Sequence, residues 1–300
     1  MTIPPSSTAL RPWQIWWLAI RPKTLPAAMS GVITGTALAW RAGRFQPGTA
    51  LAALGVALLL QIGSNLANDV FDFERGADTA ERLGPTRMTQ AGWLSPAQVK
   101  LGMVAVFALA GVVGLYLAAV SNWQVIWLGL AAILAAIAYT GGPFPLGYHG
   151  LGEVFVFAFF GPAAVVGTYY VQAGQTNPAA WAMSAPIGLL VTNILVVNNL
   201  RDLATDRAAG KRTLAVRLGA RGAQVEYLFF LLAAYLILPA LIAFKLLPLT
   251  AGLAWGSLIL AAPVARQVWT RSGRALNASL ARSGQVALLY SLLFLVGMFF

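Results

Sequence analysis

Long apolar runs, separated by short segments that gather nearly all the charge, set the architecture of this chain. A helix needs about 20 mostly apolar residues to cross a bilayer. Nine stretches meet that need: residues 13–40, 48–71, 99–119, 123–141, 152–172, 179–199, 225–244, 248–265 and 284–300. The pattern predicts an all-α fold, a polytopic bundle of nine transmembrane helices forming one membrane domain over residues 1–300. The first run is over-long and carries Pro26, which predicts a kink or an interfacial entry turn there. Trp13, Trp16, Trp17, Trp40, Trp123, Trp181 and Trp255 lie near predicted ends or in connections, where an aromatic belt would place them. The segment from Met1 to Arg11 is polar and Pro-rich, with no cleavage site in the run behind it, so the chain is expected to insert through its own helices.

Composition sharpens that picture. Of the 300 residues, 59% are hydrophobic and 10% charged, more apolar surface than one soluble core of this length can hide. The absence of cysteine excludes disulfides, thiolate catalysis and Cys-ligated metals. His149, the single histidine, leaves no basis for a His-based metal site or a Ser-His-Asp triad. Net charge is +11, but the cations sit in short segments between apolar runs. That distribution suits anionic lipid headgroups and a phosphorylated substrate, and no nucleic acid partner is expected. With the N-terminus inside, 17 of the 20 basic residues fall on the cytoplasmic side and only Arg41, Arg44 and Lys245 outside. The C-terminal Phe300 then lies outside, in a multi-pass protein of the cytoplasmic membrane.

The acids are placed more selectively still. Asp69, Asp72, Glu74, Asp78 and Glu81 cluster after the second run, Asp202 and Asp206 after the sixth, and Glu153 and Glu226 open the fifth and seventh. All nine fall on the side that holds most of the cations, although topology calls for no acids there. Asn65, Asn68, Asp69 and Asp72 share one helical face, with Gly76 ending the helix and Asp78 entering from the loop. Asn198, Asp202 and Asp206 form a second stripe. Oxygen ligands without His or Cys are what Mg²⁺ takes, using one or two carboxylates plus substrate phosphate. Arg82, Arg87, Lys211 and Arg212 stand near enough in sequence to neutralise the remaining oxygens. Either stripe alone is as well explained by solvated helix ends; two of the same Asn-x-x-x-Asp design favour a shared ligand.

These residues carry a family resemblance. Asn68-Asp69-Val-Phe-Asp72 with Gly76-Ala-Asp78, and Asn199-x-Arg201-Asp202-x-x-x-Asp206, resemble the two Asp-rich motifs of the UbiA family of membrane prenyltransferases. Gly84-Pro-Thr-Arg87-Met-Thr-Gln90, Tyr139-Thr-Gly-Gly-Pro143, Gly150-Leu-Gly-Glu153 and Gly167-Thr-Tyr-Tyr170 resemble one branch, the 1,4-dihydroxy-2-naphthoate polyprenyltransferases of menaquinone biosynthesis. The resemblance implies a bundle around a central cavity that opens near the cytoplasmic side, with Asp-rich walls facing each other. It implies transfer of a polyprenyl or phytyl group from its diphosphate to 1,4-dihydroxy-2-naphthoate, with loss of CO₂ and a need for Mg²⁺. The expected metal ligands are Asn68, Asp69, Asp72, Asp78, Asn198, Asp202 and Asp206, with Asn68, Asp72, Asp202 and Asp206 carrying catalysis. Arg201 joins the diphosphate-binding cations, and Tyr139, Glu153, Tyr169 and Tyr170 are candidates for binding the acceptor or stabilising an allylic cation. Each tyrosine taken singly is as well explained by packing. The sequence departs from the hydroxybenzoate-type pattern at Gly76 and in the loop after Tyr139, which lacks a basic residue. Two alternatives stay open: another acceptor on the same fold (4-hydroxybenzoate, homogentisate, a chlorophyllide or haem), and an ion-coupled transporter or quinone-binding membrane subunit. Transporters place ionisable groups near the bilayer midplane, and here the acids sit at helix ends.

Overall fold

A computed structural model describes residues 10–77 and 82–300. Among them only helices and turns form, with no strand. The helices are α1 (Pro12–Ile20), α2 (Leu25–Arg41), α3 (Pro47–Glu74), α4 (Pro96–Val120), α5 (Val125–Ala138), α6 (Gly152–Ala158), α7 (Ala164–Ala173), α8 (Pro178–Arg201), α9 (Leu203–Ala208), α10 (Leu214–Ala243), α11 (Leu258–Thr270) and α12 (Asn277–Met298). Proline opens α1, α3, α4 and α8, where its missing N–H costs nothing and its fixed φ suits the first turn. Ser95 caps α4 in a reciprocal box: its hydroxyl accepts from the Gln98 amide at 3.3 Å, and the Gln98 side chain accepts from the Ser95 amide at 2.8 Å.

Among the described residues, seven helical segments are long and apolar enough to span a membrane. They are Pro47–Glu74, Pro96–Val120, Gly152–Ala173, Pro178–Arg201, Leu214–Ala243, Leu249–Thr270 and Gly273–Met298. The expected count of nine is not confirmed: α5 is apolar but short, and the first run is cut in two. The cut lies at Arg21–Thr24 and not at Pro26, which sits harmlessly in the first turn of α2. Pro22 forces the break, because a residue preceding proline is driven out of the α region, and Arg21 turns to φ 57°. The segment Gly152–Ala173 passes through a π-helical turn at Phe159–Ala163, where Pro162 interrupts the regular ladder. The helix expected from residue 225 already starts at Leu214, with a break at Gly219 (φ 73°, ψ 175°).

Packing divides the helices by role. In α8, 67% of the spanning window is buried, against 28% in α4, so α8 is the pillar and α4 a lipid-facing wall. Leu101, Val104 and Leu109 accordingly point out of α4. The larger core joins α2, α7, α8, α10, α11 and α12, and a smaller one joins α1, α3 and α4 through Leu66, Val70, Val99 and Met103. Within lipid, close backbone approach replaces much of the hydrophobic drive, and Gly31 and Gly35 supply it. A Cβ on either would come within 2.5 Å of Ala164 or of the Val165 carbonyl, so α2 lies directly on α7. The two packed halves leave a cavity of about 1170 Å³ between them.

Candidate functional site

The cavity is polar at one end and apolar along the rest. The C-terminal turns of α3 and α8, the 82–87 loop and the Tyr139–Tyr148 connection close the polar end. Val32, Ala53, Leu115, Leu128, Phe159 and Val171 line the apolar part, which runs toward the far ends of the helices. Its volume exceeds the roughly 300–1,000 Å³ of ordinary small-molecule pockets.

On the first wall, the α3 stripe distributes its groups over different tasks. Asn65 donates to the Ile20 carbonyl and to Thr24 Oγ1, both at 2.9 Å, and so pins the turn between α1 and α2. Asn68 Oδ1 accepts from Thr140 at 2.9 Å. Asp69 turns away from the cavity and accepts from the amides of Met88 (2.9 Å) and Thr89 (3.1 Å). Both of its oxygens anchor the loop, and Asp69 does not line the cavity with the other expected metal ligands of this stripe. Asp72 points inward: Arg87 donates to Oδ2 at 2.8 Å and the Tyr148 hydroxyl to Oδ1 at 2.5 Å. Asp78 lies outside the described residues.

On the second wall, α8 ends at Arg201 and Asp202 is the hinge residue before α9. The Asp206 amide donates to the Asp202 carbonyl at 2.7 Å, so the stripe survives the hinge. Arg201 has no side-chain exposure. Its guanidinium clasps Asp202 with both Nε and Nη2, and donates to Asn198 Oδ1 (2.8 Å) and Asn277 Oδ1 (3.0 Å). Asn277 in turn donates to the Leu83 carbonyl at 2.9 Å. Gly84 is required beneath it, since a Cβ there would lie 2.8 Å from Nη2. Arg201 therefore orients the wall and is not among the groups that line the cavity. Glu153 stands behind this wall, accepting from Asn199 at 3.0 Å.

Lys211 joins the walls. Its ammonium lies 3.6 Å from Asp72 Oδ1, 3.7 Å from Asp206 Oδ1, and 4.5 Å above the Tyr148 ring. The connection bearing Tyr148 is fastened by the Arg212 amide to the Tyr148 carbonyl (2.8 Å) and by Arg217 to the His149 carbonyl (2.7 Å). Arg212 thus acts here through its backbone, and its side chain is not among the cavity groups. Tyr139 and Tyr170 line the cavity, whereas Tyr169 is only 2% exposed and packs in the larger core. Sequence reasoning missed Tyr148 and Asn277, since neither belongs to a periodic stripe; Tyr148's aromatic place between Gly147 and His149 was the available signal.

The electrostatics follow from this crowding. Burial, with the negative charges of Asp202 and Asp72, raises the Asp206 carboxyl to about 6, although Lys211 opposes the shift. Burial raises the Tyr139 phenol, with Glu153, Asp72 and Asp206 adding to the effect, so it stays a neutral hydroxyl. In the turn between α1 and α2, burial first and then Arg87, Arg82 and Arg201 lower the Arg21 guanidinium to about 9. An anion would relieve the crowded guanidinia and a cation the crowded carboxylates. Among the described residues no three His, Cys, Asp or Glu groups stand close enough to chelate an ion unaided. Mg²⁺ asks for less than that: hard oxygens from one or two carboxylates, completed by substrate phosphate and water. Asn68, Asp72, Asn198, Asp202 and Asp206, all lining one cavity, fit that chemistry.

Residues 28–299 match the sequence profile described as the UbiA prenyltransferase family. A 1,4-dihydroxy-2-naphthoate octaprenyltransferase of Escherichia coli (strain K12) is 41% identical over 298 residues, covering 95% of each chain. A UbiA homolog from Aeropyrum pernix K1 shares the fold with a TM-score of 0.69 at 16% identity, covering 97% of this chain and 98% of that one. A UbiA homolog from Archaeoglobus fulgidus bound to GPP and Mg²⁺ gives a TM-score of 0.65 at 15% identity, covering 95% of this chain and 100% of that one. At such identities the two structures speak for the fold alone.

Proposed function

The chain belongs to the UbiA prenyltransferase family, and we propose that it transfers a polyprenyl group from its diphosphate to 1,4-dihydroxy-2-naphthoate with loss of CO₂. The immediate product is the quinol form of demethylmenaquinone, a step of menaquinone biosynthesis. The observation that carries this reading is the ammonium of Lys211 between Asp72 and Asp206, at the head of a long apolar cavity. Two acidic walls and a set of cations converge on the polar end of one cavity, and the prenyl tail has its apolar part behind it. The acceptor follows from the identity to the Escherichia coli enzyme over nearly the whole chain.

Mg²⁺ held by Asn68, Asp72, Asp202 and Asp206 would neutralise the diphosphate and make it a better leaving group. Asn198 completes the second wall, and Asp78 is proposed to join from the loop. Arg82, Arg87 and Lys211 bind the remaining phosphate oxygens and face the charge that grows on the bridging oxygen as the allylic carbon–oxygen bond breaks. The apolar walls exclude water from the allylic cation, and the rings of Tyr139 and Tyr170 offer it π faces. The neutral Tyr139 hydroxyl remains free to hydrogen-bond the acceptor. The electron-rich naphthalene diol attacks the allylic carbon, and the acceptor's carboxylate departs as CO₂. The whole chain serves as one membrane domain of the cytoplasmic membrane, its polar cavity end toward the cytoplasm, as the 17-to-3 division of cations supports.

Membranes containing the protein, supplied with octaprenyl diphosphate and both 1,4-dihydroxy-2-naphthoate and 4-hydroxybenzoate, test the acceptor. The expected product has the mass of a prenylated naphthoquinol, and ¹⁴C from the acceptor carboxyl leaves as CO₂. Preferential formation of prenylated hydroxybenzoate with its label retained would refute the assignment.

A further inference from the structure

A second cavity of about 540 Å³ lies at the end of the bundle opposite the Asp-rich walls, where α2, α10 and α12 end and α8 begins. Arg41 and Lys245 line it together with apolar groups, among them Leu38, Ile242 and Met298. Three observations point to an anionic occupant. First, every Asp and Glu side chain in the sequence belongs to segments at the other end, and neither Arg41 nor Lys245 makes an ion pair among the described residues. Two like charges line one hollow whose described lining includes no acidic side chain.

Second, Lys245 adopts φ 58° just past the end of α10, where its amide donates to Ile242 and that of Leu246 to Leu241. That left-handed turn ordinarily holds glycine, because a Cβ is strained there. The described residues place glycine at nine positive-φ positions and another residue type at only two, Arg21 and Lys245. Both exceptions are cations lining a cavity. Complementing a helix dipole accounts for a cation near a C-terminus but not for choosing the strained position. Third, the surroundings are those of a membrane interface: Trp40 packs edge-on against Phe45 (5.3 Å) and Phe299 (5.0 Å), and Leu249 is 81% exposed.

We propose that Arg41 and Lys245 bind the phosphodiester of an anionic phospholipid from the leaflet at that end, whose acyl chains run along the exposed apolar helix faces. Native mass spectrometry and thermal unfolding of the purified protein in neutral detergent, with phosphatidylglycerol, phosphatidylcholine or inorganic phosphate added, test this. Wild type should retain and be stabilised by phosphatidylglycerol above phosphatidylcholine, and phosphate should leave it unchanged. The Arg41→Gln/Lys245→Gly double variant should weaken the strongest phosphatidylglycerol binding roughly 30-fold, and Lys245→Gly alone about fivefold. Lys245→Gly should also unfold at a higher temperature without lipid, since glycine relieves the turn. Arg44→Gln serves as the control and should bind as wild type. Wild-type phosphatidylglycerol affinity in the Lys245→Gly and double variants would overturn the proposal, as would equal stabilisation by inorganic phosphate.

Discussion

The two Asp-rich walls look alike in sequence and are built differently. On the α3 wall a continuous helix carries Asn65, Asn68, Asp69 and Asp72; Asn65, Asn68 and Asp72 line the cavity, whereas Asp69 holds the 88–89 amides. On the α8 wall the helix stops, a hinge sits at Asp202, and a buried arginine clasps the wall from behind. The first wall thus spends a carboxylate on positioning, and the second uses a guanidinium for the same purpose. Identical spacing therefore does not imply identical roles. What the walls share is the inward pair, Asp72 facing Asp206 across Lys211.

That comparison predicts unequal consequences for mutations of the same chemical type. The largest loss is expected for Asp72→Asn and for Asp202→Asn. Each should lower kcat/KM by about 10³-fold, the scale for removing one preorganised electrostatic contact, while the protein stays folded in the membrane. Turnover measured with labelled prenyl diphosphate checks this, and near-normal rates in either variant would break the pairing of the walls. Asp69→Asn should behave differently. It weakens charge-assisted bonds to two backbone amides and should cost about 1.5–3 kcal/mol of stability, read by thermal unfolding, with activity falling much less than in Asp72→Asn. Stability unchanged and activity abolished would instead put Asp69 among the metal ligands. The smallest effect belongs to Tyr148→Phe, which removes one donor to Asp72. A change in kcat/KM of up to about tenfold is expected, with the fold intact. A loss as large as that of Asp72→Asn would make the hydroxyl part of the chemistry itself.

The helical membrane fold was legible because apolar runs of spanning length admit few other solutions in lipid. The facing stripes were legible because residues three and four apart share a helix side. The sequence pattern could not separate Asp69 from Asp72: the two differ by 60° around α3, enough to turn one to the loop and the other to the cavity, and only the path of the 82–94 segment decides which. Pro26 is the wrong marker for the break: a proline in a first turn is benign, and the one after Arg21 is not. Tyr148 and Asn277 were invisible for a different reason. Each acts across more than 70 residues of chain, Tyr148 on Asp72 and Asn277 on Arg201, and no local period records such pairs.

The central claim is that both walls hold one diphosphate through a divalent cation. Mn²⁺, substituted for Mg²⁺ and followed by electron paramagnetic resonance, tests it without turnover. Free Mn²⁺ signal should fall when geranyl diphosphate is added to the wild-type protein, and should change little with Mn²⁺ alone. Asp72→Asn and Asp202→Asn should each abolish the diphosphate-dependent uptake. Full uptake by a folded variant of either wall would contradict the account, because the cation would then need only the other.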